Sequence, residues 1–242
     1  MEKSQGVEVG QKTLHILDNA DKFNKWMYEV ICDHIEGKVL EVGSGIGNIS
    51  KFFVDDGYDI TLSDTNEGYV NHLRHKFHKA QNLKEVLKFD IGSNQFETDY
   101  KSLSKEFDSI FSLNVIEHIQ DDYKAVSNCA SLLKTNGMLV LLVPAFQSLY
   151  NRFDQELLHY RRYSKGTLKD LLILNNFEII DIKYFNFPGI FGWWVSGKLQ
   201  SNKTIPSAQV KLYDALVPLF KTFDKFFNGI LGLSLIAIAR KK

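Results

Sequence analysis

Apolar residues fall along this chain in two periods that alternate from one end to the other. From Asp21 to Ile35, Phe23, Trp26, Met27, Val30 and Ile31 recur at helical spacing, and Glu36-Gly37 ends the run. Lys38–Gly43 reads as a buried strand entering a glycine-rich turn, Asn48–Asp55 as a helix and Tyr58–Ser63 as a second strand. Gly68–Lys79 is helical, Glu85–Asp90 a third strand and Phe107–Leu113 a fourth. Asp121 and Asp122 stand where a helix N-terminus favours acids; Val126, Cys129, Ala130 and Leu133 form its stripe, and Asn136-Gly137 stops it. Gly137–Ala145 is continuously apolar, as a strand covered on both faces must be. A helix over Thr167–Asn175 and strands over Phe177–Tyr184 and Leu233–Arg240 complete the pattern. Such alternation predicts an α/β fold with a doubly wound sheet.

The pattern divides one Rossmann-like domain into three parts: an N-terminal helical cap (1–36), a core (37–185 and 230–242) and an aromatic-rich helical insertion (186–229). The polar stretch before Asp21 is expected to be mobile. In the insertion, Ser207 after Pro206 reads as an N-cap, and Pro218 should break or kink the following helix. Val210, Tyr213, Val217, Phe220, Phe223 and Phe227 then share one side. An insertion between the last strands of an open sheet suits a lid over a substrate; extra core packing or a dimer face are the competing readings.

Composition narrows the classes. Lys and Arg total 29 against 29 Asp and Glu, which argues against a protein built to hold a nucleic-acid backbone. The two cysteines, Cys32 and Cys129, are far apart, so a disulfide framework or structural zinc site is not expected and a reducing compartment fits. MEKSQGVEVGQK lacks an apolar signal-peptide core, and the apolar run near Gly229–Ala239 is too short to span a bilayer. The expectation is a cytoplasmic protein, monomer or homodimer. The insertion's aromatics and the terminal Arg240-Lys241-Lys242 also permit peripheral contact with the inner face of a membrane.

The chemistry is concentrated in Val39–Asn48, VLEVGSGIGN. Glycines at a strand-to-helix turn let the backbone fold sharply and approach a ligand, although a tight turn alone could use them too. The third glycine stands at Gly47, giving GxGxG, where a dinucleotide fingerprint wants it at Asn48. Asp64 ends the second strand at about the twenty-residue offset expected of a ribose ligand, and Asp90 ends the third. The carboxyl ends of parallel strands share one crevice, so Glu41, Asp64 and Asp90 should face a common site.

With LEVGSGIGN, TLSDTN (Thr61–Asn66), FDIGS (Phe89–Ser93), NVIEHI (Asn114–Ile119) and LLKTNGMLVLLVPA (Leu132–Ala145), the sequence resembles the class I S-adenosylmethionine-dependent methyltransferases over nearly its whole length. Thr135-Asn136 replaces that family's usual proline-glycine turn. The resemblance implies S-adenosylmethionine as cofactor. It further implies that Gly43, Gly45 and Gly47 would lie against its methionine part and ribose, that Glu41 would help place its amino group, and that Asp64 would accept from both ribose hydroxyls. By the same resemblance Asp90 would take the adenine amino group with the Ile91 backbone beside the ring, and Asn114 and Val115 would contact the methionine portion. A narrower resemblance, carried by Val143–Leu168, Asn186–Trp194 and GLSLIAIARKK, is to bacterial methyltransferases often found beside glycosyltransferases and polysaccharide-assembly genes. It extends to DKFNKWMYEVI, which covers the cofactor pocket in such enzymes.

Two histidines are candidate general bases, His118 in NVIEHI and His159 in HYRRY, each with a structural alternative: a residue shaping the pocket, or part of a salt-bridged loop. Tyr160, Arg161 and Arg162 suit a phosphate, carboxylate or sugar acid, because guanidinium binds such groups bidentately. Trp193 or Trp194 could stack on a sugar or an apolar tail, or simply be core. His72, His75 and His78 drift around their helix rather than stacking on one face, so no metal is expected. NVIEHI stands where amino methyltransferases of DNA bases or glutamine carry an NPPY-like motif, and no Pro-Cys nucleophile for cytosine C5 appears. The sequence thus predicts methylation of a small or lipid-linked acceptor, first a hydroxyl of a sugar or glycan intermediate, with a phenolic or quinone-type isoprenoid as runner-up. A nicotinamide-dependent oxidoreductase and a catalytically silent partner protein are the alternatives from other classes.

Overall fold

The computed structural model describes residues 2–194, 206–227 and 229–242, with side chains from residue 9 onward. Strands β1 (Lys38–Val42), β2 (Asp59–Asp64), β3 (Leu83–Lys88), β4 (Phe107–Leu113), β5 (Leu133–Pro144), β6 (Phe177–Phe185) and β7 (Ser234–Lys241) form a seven-stranded sheet in the order β3-β2-β1-β4-β5-β7-β6. The strands from β3 across to β5 pair in parallel, whereas β7 runs antiparallel to both β5 and β6. The strand order reverses between β1 and β4, and the crevice beyond the carboxyl ends there is where an open α/β sheet binds ligands. The predicted doubly wound, Rossmann-like architecture is the one observed.

Helices α1 (Glu2–Asp18), α2 (Asp21–Glu29), α3 (Ser50–Asp55), α4 (Glu67–Lys76), α5 (Phe96–Asp99), α6 (Asp122–Leu132), α7 (Arg152–Glu156), α8 (Lys165–Leu174), α9 (Gly189–Trp194) and α10 (Ser207–Phe227) surround it. Side chains of β5 alternate between two cores because strand residues point to opposite faces. Leu139, Leu141 and Val143 pack with Val126 and Cys129 of α6 and Leu168 and Leu172 of α8. Val140 and Leu142 pack on the opposite face with Trp26, Ile31, Phe53, Leu73 and Val217. No described helix is long and apolar enough to cross a membrane.

Several expectations are corrected. The stretch before Asp21 is the helix α1, which contacts α2, α7 and α10; its Leu14 and Leu17 line the crevice at the strand reversal instead of joining the core. Helix α6 stops at Leu132 and the chain is already extended at Leu133, with Asn136 at φ 64 inside the strand's first turn. Ser207 is the first residue of α10, and the Pro206 carbonyl accepts the first amides, those of Gln209 and Val210. Pro218 lies inside a helix that continues past it. Contacts on both sides of the proline hold the helix: before it Val217 is buried in the core, and after it Asp224 Oδ1 accepts the Phe187 amide at 2.7 Å. The inward stripe of α10 is Val210, Tyr213, Val217, Phe220 and Asp224, while Phe223 faces outward and Phe227, half exposed, stacks on Phe187. The insertion expected over 186–229 includes 195–205 and 228, which lie outside the described residues.

Candidate functional site

Past Val42 the chain enters a turn in which Gly43, Gly45 and Gly47 all hold left-handed φ, at 78°, 56° and 80°. A Cβ on Gly43 would collide with the Val115 side chain, and one on Gly47 would lie 2.8 Å from the Phe77 ring. Gly43 and Gly45 line a cavity of about 760 Å³ at the strand reversal. Gly47 does not: it faces Leu73 and Phe77, so its smallness serves close packing of the turn against α4.

The expected acceptor groups converge on this cavity. Glu41, on β1, is buried and accepts a hydrogen bond from Ser50 Oγ; burial pushes its pKa up to about 7 against that bond. Asp64 closes β2, and its two oxygens accept the Gly45 amide at 2.9 Å and the Asn66 amide at 2.8 Å. Burial still raises its pKa above the ordinary carboxylate value. Asp90 Oδ1 accepts the Gly92 amide at 2.8 Å, and the neighbouring Ile91 is buried with its carbonyl held by Asn128 Nδ2 at 2.7 Å. Asn114 takes φ 55 and donates its amide to Leu142 O at 2.8 Å, which turns the chain at the end of β4 and sets Val115 opposite Gly43. Glu41, Asp64, Asp90, Ile91, Asn114 and Val115 all line the cavity. Asn48 joins them: its Nδ2 donates to Leu14 O at 3.2 Å, while its buried Oδ1 has no partner among the described residues. Carboxylates and an orphaned acceptor along one wall suit a ligand that presents amino groups and hydroxyls, as S-adenosylmethionine does. Leu14 of α1 and Phe23 and Met27 of α2 roof the cavity, with the Phe23 ring against that of Tyr213 on α10.

The other end of the cavity is built by the chain after β5. Asn151 and Asp154 form a reciprocal capping box on α7, with Asn151 Oδ1 accepting the Phe153 amide at 2.8 Å and Asp154 Oδ2 accepting the Asn151 amide at 2.9 Å. The cap leaves Asp154 Oδ1 to accept from His159 Nδ1 at 2.9 Å and Arg162 Nε at 2.8 Å. Burial raises the Asp154 pKa, but the His159 hydrogen bond and the Arg162 charge more than offset it, and the net shift is downward. Arg162 also donates to Ala145 O at 3.1 Å and lies 4.7 Å over the Trp193 ring. His118 sits with its ring 4.6 Å from that of His159, edge to face. Burial and the nearby His159 push its pKa down to about 4.

His118, His159, Arg162 and Trp193 therefore share the cavity with the cofactor-side residues. Tyr160 and Arg161 do not line it. Tyr160 is half exposed, and Arg161 is taken up by Asp122 at 2.7 Å and Gln120 O at 2.6 Å, which anchors the loop to α6. The residues sequence reasoning passed over are Asp154, legible in the Asn151-x-x-Asp154 cap spacing, and Glu117. Glu117 is fully buried beside His118, and neither of its carboxylate oxygens has a hydrogen-bond partner among the described residues.

A family model described as a methyltransferase domain matches residues 12–182. A ubiquinone biosynthesis O-methyltransferase of Coxiella burnetii is 31% identical over 109 residues, covering 43% of this chain and 43% of that protein. One from Xanthomonas axonopodis pv. citri is 28% identical over 134 residues, covering 54% and 52%. The aligned region is about half the length of these relatives. A SAM dependent methyltransferase from Archaeoglobus fulgidus superposes with a TM-score of 0.59 at 20% identity, over 90% of this chain and 94% of that one. A Haemonchus contortus phosphoethanolamine N-methyltransferase, solved with S-adenosyl-L-methionine, gives 0.58 at 18% identity over 89% and 52%. With the sheet order, the glycine turn and a family match that spans most of its length, the chain belongs to the methyltransferase domain family, on the class I S-adenosylmethionine-dependent fold.

Proposed function

We propose that the protein uses S-adenosylmethionine to methylate a hydroxyl on an apolar, small or lipid-linked acceptor of the phenolic or isoprenoid quinone type. The observation that carries this reading is one cavity with two unlike ends: Glu41, Asp64 and Asp90 at one, and Phe153, Leu157, Trp193, Val210 and Tyr213 at the other. The cofactor supplies an activated methyl group for in-line displacement. Glu41, Asp64 and Asp90 bind and orient it, and the roof from α1 and α2 excludes water. A hydroxyl acceptor must give up its proton, and the Glu117–His118–His159 cluster is the polar group at the apolar end that can receive it. Asp154 holds His159 through Nδ1, which leaves Nε2 turned toward Glu117, 4.0 Å from its Oε1.

The names of the relatives in ubiquinone biosynthesis support the phenolic reading. The sugar or glycan acceptor loses one support, because Arg161 and Arg162 are engaged within the protein. It keeps another: the indole N–H of Trp193 is buried without a partner among the described residues and its ring lines the cavity, a surface on which a sugar could stack and bond. Peripheral membrane contact fits the outward face of α10, where Leu212, Leu216, Leu219, Phe223 and Phe226 are exposed in one helical row. The only acids after residue 186, Asp214 and Asp224, accept the amides of Phe23 and Phe187, whereas Lys211 and Lys225 remain exposed beside the row.

Incubation with methyl-labelled S-adenosylmethionine and a panel of polyprenyl phenols, sugar nucleotides and lipid-linked sugars tests the assignment. Label in an aryl methyl ether supports it; label confined to sugars establishes the second reading, and label in neither class overturns both.

A further inference from the structure

Glu117 presents an unusual expense in this fold. A carboxylate taken out of water costs several kcal/mol unless it is paired or hydrogen-bonded. Here both oxygens are buried without a partner among the described residues. The nearest guanidinium, that of Arg162, is already committed to Asp154 and the Ala145 carbonyl. What faces the carboxylate instead is a pair of imidazoles. One donor atom each from Glu117, His118 and His159 lies within 4.8 Å of the others, and His159 Nε2 stands 4.0 Å from Glu117 Oε1.

We infer that Glu117, His118 and His159 form a binding site for a first-row divalent cation of the zinc, cobalt, manganese or iron class, with open positions turned to the cavity. Metal–ligand bonds of about 2.1 Å place neighbouring donors roughly 3–4 Å apart, so small side-chain movements close the observed set onto an ion. Two imidazole nitrogens and one carboxylate oxygen suit such borderline ions better than calcium or magnesium, which favour all-oxygen shells. The outer shell is in place as well. A metal-binding histidine commonly donates its other ring nitrogen to a carboxylate, and His159 Nδ1 meets Asp154 Oδ1 at 2.9 Å. Asp154 is in turn fixed by the capping box of α7 and by Arg162.

Three protein ligands leave room for a water or an acceptor oxygen, the arrangement of reactive rather than structural sites. An ion held there would bind the acceptor hydroxyl and lower its pKa so that the proton passes to solvent water, in place of the direct transfer that the metal-free cluster would take. Occupancy of the site depends on neither the acceptor nor S-adenosylmethionine, and so stands or falls apart from the function proposed above. The three histidines His72, His75 and His78 form no comparable group: all are exposed, and among the described residues the cluster at Glu117 is the one whose donors converge.

The test is titration of the EDTA-treated full chain with Zn²⁺ by calorimetry and with Co²⁺ by visible absorption. The expected result is one ion per chain and cobalt bands of a low-coordinate site. Glu117→Gln and His159→Gln should each weaken binding at least about 100-fold, Asp154→Asn about 10- to 100-fold, and His75→Ala not at all. Glu117→Gln preserves shape and removes an unpartnered charge, so in EDTA it should unfold no lower than wild type. A wild-type protein that binds no ion, or shows only the spectrum of aqueous cobalt, overturns the inference. So does unchanged affinity in Glu117→Gln and His159→Gln. Because the cobalt spectrum is read on the unmutated chain, a variant that fails to fold does not remove the test.

Discussion

The two ends of the cavity are built on different principles. At the cofactor end the polar groups come from the ends of β1, β2 and the loop after β3: the Ser50 hydroxyl holds Glu41, and backbone amides hold the other two, Gly45 and Asn66 on Asp64 and Gly92 on Asp90. At the acceptor end they come from the loop after β5 and the turn after β4, and they hold one another: Asp154 joins His159 to Arg162, and Glu117 faces both histidines. The first end is fixed by strand register and tolerates change in its neighbours. The second depends on one carboxylate. Damage to it should therefore spread, whereas damage at the cofactor end should stay local.

Asp154→Ala gives the largest effect. It leaves the buried Arg162 charge uncompensated and His159 unheld, which should cost about 3–5 kcal/mol in denaturant unfolding. Asp154→Asn, which retains a hydrogen-bond acceptor, should cost less, and equal losses in the two variants would break the contrast. Next comes pH. Glu41 has its folded pKa raised from 4.5 to about 7, so the folded protein holds that proton more tightly than the unfolded chain. The stability this contributes is present below about pH 4.5 and is lost as pH rises through 7, on the order of a few kcal/mol in the ligand-free protein. Glu41→Gln should flatten that segment of the pH–stability curve. A ligand amino group favours the ionised carboxylate, so the thermal shift given by S-adenosylhomocysteine should be larger at pH 8 than at pH 6 in wild type and lose that difference in Glu41→Gln.

Gly47→Ala should cost about 1–2 kcal/mol, from its left-handed φ and the contact with Phe77. Since Gly47 lies outside the cavity, S-adenosylhomocysteine affinity measured on the folded variant should stay near wild type. Arg161→Ala is the smallest change, within about 0.5–1 kcal/mol, because its partner Asp122 is partly exposed and solvent screens the pair. Methyl transfer should persist in it while Arg162→Ala loses activity; loss in both variants would restore the paired-arginine anion site.

The same contrast explains what the sequence made legible. Strands β1 to β5 and the acids at their ends could be read because register and the right-handed crossover leave Glu41, Asp64 and Asp90 little choice of position. The roles of Tyr160, Arg161 and Arg162 could not be separated from spacing. Arg161 turns out to α6 and Arg162 turns in to Asp154, and that choice is made by an irregular loop with Phe146 and Leu158 at left-handed φ. Glu117 was hidden for a related reason: adjacent residues on a helix diverge, but the short 3-10 turn Ile116–His118 lets Glu117 and His118 share a pocket with a histidine from a distant loop. On α10, a helix that continues past Pro218 was invisible because the packing of Val217 before it and the Asp224–Phe187 bond after it, not local propensity, hold the chain there.

Calorimetric titration with S-adenosylhomocysteine, run side by side on wild type and Asp64→Asn, tests the central claim that the strand ends form a cofactor site. The account predicts saturable binding at one site per chain in wild type and a loss on the order of 100-fold in Asp64→Asn, since each charged hydrogen bond to the ligand contributes about 1.5–3 kcal/mol. Absence of binding by the wild-type protein, or the same isotherm in both proteins, would contradict it.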